Sequence, residues 1–377
     1  MAVANQVEEY AVHEPEAILT PGLLIFREPL AHNLQEMVRI AGDPGRLRPH
    51  CKTHKTREIV QMQMELGITK HKCATLREAE MLAELEVEDI LLAYQLVGPN
   101  PRRLCQLIER FPQSRFACLV DDPTALRHIS GEATQANVEV GVFMDIDSGM
   151  HRTGIQTDED AIHLYEMIST SAGIQCRGMH WYDGHHRQSD YQERQRAVEA
   201  SWSPFVKLRN QIMMSGFDVP AIVAAGTGSF SILAEMGEPN LELSPGTTTY
   251  FDIGYQKTFP DLNLKPALGI LTRVVSKRRH GFLTLDCGHK SCAADPPAGA
   301  RLSFPAIPDA VESKHTEEHL VIETKHAEQF ALGDAMVALP IHACPTSAVH
   351  DFATVIENGK AVERWEIASR GRAMHGE

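Results

Sequence analysis

Residues 139–154 read Glu-Val-Gly-Val-Phe-Met-Asp-Ile-Asp-Ser-Gly-Met-His-Arg-Thr-Gly. The first half is a short apolar run with valine, isoleucine and phenylalanine, and the second half is polar and glycine-rich. A fully buried strand that ends in a surface loop has this composition. The pattern recurs on both sides. Candidate strands fall at 47–52, 70–74, 89–94, 115–121, 139–146, 176–182, 221–226 and 241–245. Helical spacing fills the gaps, for example over 76–85 and 190–215. Strands alternating with helices imply parallel βαβ units, and eight of them in about 200 residues imply a (β/α)8 barrel, placed at residues 18–258.

Beyond residue 258 the pattern changes. Residues 267–277, 282–287, 320–324, 334–340 and 352–369 read as strands joined by turns. The Glu357-Asn358-Gly359-Lys360 turn predicts a hairpin, because Asn-Gly accepts the positive φ that tight hairpins require. An antiparallel β domain is therefore expected over 259–377, joined by residues 1–17. Leu23–Phe26 reads as an extra early strand that crosses between the two domains.

Composition bounds the function. The chain has 377 residues, 43% hydrophobic and 23% charged, which excludes wholesale disorder, a collagen-like chain and a disulfide miniprotein. Lysine and arginine total 36 against 50 acidic residues, a net charge of −14 that argues against a nucleic-acid partner. The basic clusters, such as Lys277-Arg278-Arg279, are short. No apolar run approaches the ~20 residues of a membrane span. Met1–Tyr10 has neither the basic nor the apolar region of a signal peptide. The eight cysteines form no C-x-x-C pair, and several sit in apolar runs, which suits buried thiols in a reducing cytoplasm.

In a (β/α)8 barrel the active site stands at the C-terminal ends of the strands. Those ends carry His50-Cys51-Lys52-Thr53-His54-Lys55, Asp145 to Gly154, Tyr182-Asp183-Gly184-His185-His186, Ala225-Gly226-Thr227-Gly228-Ser229 and Ser244-Pro245-Gly246-Thr247-Thr248. Each alone is ordinary turn composition; all five at one end of a barrel are harder to dismiss. Gly226 to Ser229 leads into a helix expected over 229–236, and Gly246-Thr247 stands beside it. The loops after strands seven and eight are the usual phosphate site of this fold. A lysine ending strand one, opposite such a cup, suggests pyridoxal 5'-phosphate held as a Schiff base. Further on, His342 and Cys344 stand two apart on an expected strand, hence on one side. Imidazole plus thiolate suits zinc, although a random pair of this kind is more often a buried thiol beside a satisfied histidine.

The run His50-Cys-Lys52-Thr-His-Lys55 resembles the H-x-K-T-H-K segment of fold-type III pyridoxal phosphate enzymes acting on D-amino acids, the D-threonine aldolases and eukaryotic-type D-serine dehydratases. The resemblance continues in Thr69 to Glu80, Asp145-x-Asp147-x-Gly149-x-x-Arg152-x-Gly154, Gly226 to Ser229, Pro245-Gly246-Thr247, Asp286-x-Gly288-x-Lys290, Glu317-Glu-His319 and His342-x-Cys344-Pro-Thr346. The Asp-Ser-Gly-Met-His-Arg-x-Gly stretch is also similar to alanine racemase. The resemblance implies that Lys52 carries the cofactor, that Arg152 lies near its phenolic oxygen and that Tyr182 lines the pyridine pocket. Thr227, Gly228, Ser229, Gly246 and Thr247 would hold the phosphate. Ser244 stands where alanine racemases carry an arginine near the pyridine nitrogen, which implies a weak electron sink.

The resemblance also reverses the bland reading of His342 and Cys344. It implies that they bind one divalent metal (zinc, manganese or magnesium) with open positions for water and substrate. His185 or His186, or a metal-bound hydroxide, would take the β-hydroxyl proton. A D-3-hydroxy amino acid is the implied substrate, with two routes open. A D-threonine aldolase would release glycine and an aldehyde. A dehydratase of D-serine or D-threo-3-hydroxyaspartate would release a keto acid and ammonia. Dehydratases of the family place a cysteine where many aldolases place an aspartate, so Cys344 points to dehydration. The Ile-Ala-Ser-Arg-Gly tail, the Thr69 to Thr75 segment and the Tyr182-Asp-Gly-His turn look closer to the bacterial aldolase-like branch, which tips the reading towards the aldolase. A homodimer is implied. Outside this class, a non-catalytic pyridoxal phosphate carrier would be a bare barrel without bound metal.

Overall fold

The structure, a computed structural model, describes residues 8–277 and 279–376. Residues 1–7 of the expected N-terminal segment and Arg278 of the short basic cluster lie outside the described residues. By compactness the chain divides into two units, one of residues 1–36, 53–58 and 247–370 and one of 37–52, 59–246 and 371–377. The expected boundaries at 18 and 258 thus differ from the observed division. Residues 247–258 pack with the later strands, where Gly254 N donates to Ile341 O and Ala343 N to the Asp252 carboxylate.

Among the described residues the strands are β1 (Gly22–Phe26), β2 (Lys70–Cys73), β3 (Asp89–Gln95), β4 (Arg115–Val120), β5 (Val140–Ile146), β6 (Ile174–Trp181), β7 (Ala221–Ala224), β8 (Leu241–Leu243), β9 (Leu268–Ser276), β10 (Phe282–Leu285), β11 (Leu302–Ser303), β12 (Val311–His315), β13 (Leu320–Glu323), β14 (Ala335–Pro340), β15 (Phe352–Glu357) and β16 (Lys360–Glu366).

In the second unit β2 to β8 form a parallel sheet in sequence order. The expected first strand, 47–52, is not a regular strand. Leu47 bridges Leu243 of β8 and His50 bridges Lys72 of β2, so this segment links the two sheet edges and takes the eighth position of the ring. Pro49 lacks the N–H a continuous ladder would use, and residues 51–53 turn into a 3-10 helix. All seven residues of β5 are buried, as a strand covered on both faces demands. Leu91, Ala117, Leu119, Phe143 and Val223 cluster as core. At the N-terminal ends of the strands, Arg48 is fully buried and pairs with Asp89 at 2.7 Å and Glu242 at 2.6 Å. Removing one member of such a network costs about 3–5 kcal/mol, because its partners stay buried and unpaired. The helix Leu76–Glu84 starts where the Thr75 hydroxyl accepts from Glu78 N.

The first unit holds one mixed, mostly antiparallel sheet in the order β12-β13-β10-β9-β1-β15-β16, with β14 paired to β9 and β11. The early strand β1 is an interior member of this sheet, antiparallel to β9 and parallel to β15. Four of its five residues are buried, at about 1.5–3 kcal/mol for each large apolar side chain. Leu24 and Phe26 join Tyr10, Ile18, Ile253, Leu271, Leu339 and Ile356 in one core cluster. Tyr10 packs edge-on against Phe26 at 5.0 Å and donates its hydroxyl to Pro266 O, which fixes the N-terminal segment. The predicted hairpin forms between β15 and β16, with Asn358 at φ 49° and Gly359 at φ 74°. No helix among the described residues is long and apolar enough to cross a membrane.

Candidate active site

The C-terminal ends of the barrel strands enclose a cavity of about 490 Å³, within the range of small-molecule sites. Lys52, Lys72, Asp145, Arg152, His180 and Tyr182 line it. Three cations surround the Tyr182 ring: Lys52 Nζ lies 5.6 Å from its centre, Lys72 Nζ 5.8 Å and the Arg152 guanidinium 5.0 Å. Small residues make room for this ring. A Cβ on Gly184 would sit 2.3 Å from the Tyr182 hydroxyl, and one on Gly226 would sit 3.3 Å from its Cε2.

Lys72 and Asp145 stand in segments quoted above but were given no role there, and neither was His180. The signal was a charge inside a buried strand, His71-Lys72-Cys73, and it is legible once noticed. Lys72 is 3% exposed. Burial, and then repulsion by Lys52, pull its ammonium down to about 7. At neutral pH a substantial share of the amine is therefore unprotonated. His180 Nδ1 stands 2.6 Å from Asp145 Oδ1. Burial lowers the imidazole's pKa, and the carboxylate only partly opposes this. The other ring nitrogen, Nε2, is buried with no hydrogen-bond partner, as is Ser244 Oγ at the end of β8.

Thr227, Gly228 and Ser229 form a buried turn after β7. Ala225 enters it at φ +75°, a strained value for a residue with a Cβ. Asp183, named above without a role, and Arg194, not singled out, hold the turn. The Asp183 carboxylate accepts from Gly226 N at 3.1 Å and from the Ser229 hydroxyl at 2.8 Å. Fully buried Arg194 donates from Nε to Gly228 O at 2.9 Å. Burial raises the Asp183 pKa. The helix that follows spans only Phe230–Glu235, so the turn's own groups, not a long helix dipole, would meet an anion. Gly246 lies in the same unit.

His185 is exposed and His186 buried, with ring centres 4.1 Å apart. His186 Nε2 is 2.8 Å from the Ser201 hydroxyl. Neither imidazole is among the residues lining the cavity.

His342 and Cys344 belong to the other unit. They do not share a strand: His342 is the N-cap of the helix Ala343–Ala348, and Cys344 is that helix's second residue. The cap bends the chain so that the two side chains still meet. Burial alone would lower the His342 pKa, but contact with Cys344 and Asp295 outweighs it and raises the imidazole to about 9. Cys344 Sγ lies 3.2 Å from Thr53 Oγ1 and 3.6 Å from Thr247 Oγ1. The Thr247 hydroxyl is thus turned towards the thiol. An imidazole and a thiol side by side are donors that suit a divalent metal such as zinc.

The residues also fit pyridoxal 5'-phosphate. The cavity combines an amine, a guanidinium and an aromatic ring, and Ser244 Oγ is a buried polar atom without a partner.

Comparison with known proteins agrees with the fold. The family profile "Alanine racemase, N-terminal domain" matches residues 25–253, and "Putative serine dehydratase domain" matches residues 267–356. The chain is 29% identical to a D-threonine aldolase of an Arthrobacter species, over 93% of each chain. It is 27% identical to the 3-hydroxy-D-aspartate aldolase of Paracoccus denitrificans, over 94% of this chain and 93% of that one. The crystal structure of D-threonine aldolase from Filomicrobium marinum superposes with a TM-score of 0.87 at 26% identity, covering 94% of this chain and 96% of that one. Since the first profile spans well over half of the residues, the chain belongs to the alanine racemase N-terminal domain family.

Proposed function

We propose that this chain is a pyridoxal 5'-phosphate- and metal-dependent lyase of D-3-hydroxy amino acids, cleaving D-threonine to glycine and acetaldehyde. The observation that carries the reading is Lys52 in a cationic cavity with Arg152 and Tyr182. When bound, pyridoxal phosphate supplies an electron sink for charge at Cα, and a divalent ion supplies a Lewis acid for the β-hydroxyl. Lys52 would hold the cofactor, with Arg152 beside its phenolic oxygen and Tyr182 against its ring. Thr227, Gly228, Ser229, Gly246 and Thr247 would receive the phosphate. Ser244, an uncharged donor, would leave the pyridine nitrogen unprotonated. His342 and Cys344 would hold the ion.

In the aldolase route His185 or His186 would accept the β-hydroxyl proton, which requires a ring that does not line the cavity to turn into it. The oxygen forms a carbonyl at Cβ as the Cα–Cβ electron pair moves to Cα, which then takes up a proton to give glycine. A second reading is favoured by one observation, the thiolate donor at Cys344: a dehydratase of D-serine or D-threo-3-hydroxyaspartate. There Lys52 takes the α-proton and hydroxide departs from Cβ, leaving a keto acid and ammonia after hydrolysis. The test is a product assay on purified enzyme with pyridoxal phosphate and a divalent metal. Glycine plus acetaldehyde from D-threonine is expected. Keto acid and ammonia from D-serine would establish the second reading. Cofactor binding with no product from D-threonine, D-serine or 3-hydroxyaspartate would refute both and leave a carrier. We further propose a cytoplasmic homodimer, with a molecular mass in solution of twice the chain's.

A further inference from the structure

The ring nitrogens of His342 face different demands. Nδ1 stands 2.5 Å from Asp295 Oδ2, a charge-assisted contact. An imidazole that donates Nδ1–H to a carboxylate presents its lone pair at Nε2, fixed in tautomer and direction. Asp295 is itself held on both sides. Arg301 donates from Nη2 to Ala294 O at 3.0 Å and from Nε to Pro296 O at 3.1 Å, so one guanidinium grips the carbonyls flanking the aspartate. The loop is also sewn to the histidine's helix. Ala293 N donates to Thr346 Oγ1 at 2.9 Å, and that hydroxyl donates to His342 O at 2.8 Å. Ile341 N, next to the histidine, donates to Arg301 O at 2.9 Å. The Asp295 side chain is about half exposed, 54%. An exposed carboxylate fixed so firmly on one imidazole is costly to order unless the imidazole's direction matters.

We infer that Asp295 is a positioning residue for the metal site, with Arg301 as the brace that keeps its carboxylate on His342 Nδ1. The inference rests on the reading of His342 and Cys344 as metal ligands. Asp295 does not touch the ion; it sets which nitrogen the ion meets and where that nitrogen points. Outer partners of this kind change metal affinity by about 10–100-fold.

The test uses full-length enzyme with pyridoxal phosphate bound, stripped of metal and titrated with Zn²⁺ against a chromophoric chelator. Asp295→Ala should weaken Zn²⁺ binding by about 10–100-fold. Asp295→Asn keeps an oxygen that accepts from Nδ1–H and should recover most of that loss. Arg301→Met leaves the carboxylate in place but unbraced, so it should weaken binding in the same direction by less. His342→Ala should abolish tight binding. Thermal melting separates a structural role, which would lower the melting temperature of Asp295→Ala while leaving its Zn²⁺ affinity at the wild-type value; that result overturns the inference. Tight Zn²⁺ binding that survives His342→Ala would overturn the ligand reading, and the inference with it.

Discussion

Replacing Lys72 with methionine keeps most of the length of the side chain and removes its charge from the cavity wall. In the native chain the ammonium titrates near 7, because it is buried and faces Lys52. In the unfolded chain it titrates near about 10.4. Below both values lysine is protonated in either state, and the native state carries the full penalty of a buried charge. At about 1.4 kcal/mol per pH unit of separation this comes to about 5 kcal/mol. As pH rises through 7 the native amine sheds its proton while the unfolded chain keeps its own. The unfolded state then binds more protons, so wild-type stability climbs with pH. The stability advantage of Lys72→Met over wild type should therefore be largest near pH 6 and shrink by about 2 kcal/mol between pH 7 and 9. Taking the difference between the two proteins cancels the other titrating groups. The assay is urea unfolding of cofactor-free protein at several pH values. Tryptophan fluorescence reports the barrel, where Trp181 and Trp202 pack at 4.9 Å. A difference that stays flat or grows with pH would show that Lys72 is charged at neutral pH, and would remove a neutral amine from this cavity.

Three further outcomes follow from the same geometry. Lys52→Ala should bind pyridoxal phosphate without the visible absorption of a lysine adduct and lose activity; a variant that kept both would refute the assignment of Lys52. Arg194→Met removes the buried donor to Gly228 O, and loss of a charged hydrogen bond at about 1.5–3 kcal/mol should weaken cofactor affinity by about 10–100-fold in an absorbance titration. Gly154→Ala places a Cβ 2.3 Å from Asp147 N at φ +100°, so thermal melting should report a loss on the order of 2–3 kcal/mol from the strand-five loop.

Much of the architecture is written locally. The apolar runs at 89–94, 115–121 and 139–146 became β3, β4 and β5 with ends shifted by a residue or two, because a strand covered on both faces needs little beyond a continuous apolar stretch. Asn358-Gly359 turned as expected, since positive φ is a property of those residues wherever they stand. The polar, glycine-rich segments after the strands marked the cavity end of the barrel, because parallel strands bring their C-terminal ends to one place.

Other features depended on partners far away in the chain. Pro49 denied segment 47–52 a regular ladder, and only its bridges to Leu243 and Lys72 reveal its place in the ring. Leu23–Phe26 is a strand by composition, but its neighbours β9 and β15 lie some 240 and 330 residues later. The H-x-C pair reads as strand alternation, whereas a helix N-cap brings the side chains together. No pattern in the sequence gives Lys72, Asp183, Arg194 or Asp295 its role. Lys72 owes its chemistry to burial beside Lys52, and the others to hydrogen bonds with Gly226 and Ser229, with Gly228, and with His342. Most of the barrel strands and the residue types that gather at the barrel mouth are legible in the sequence alone, since periodicity and loop chemistry act over a few residues. Which amine loses its proton most readily, which carboxylate closes the turn and which carboxylate meets His342 Nδ1 emerge only on folding, because desolvation and hydrogen bonding are set by neighbours the chain supplies from a distance.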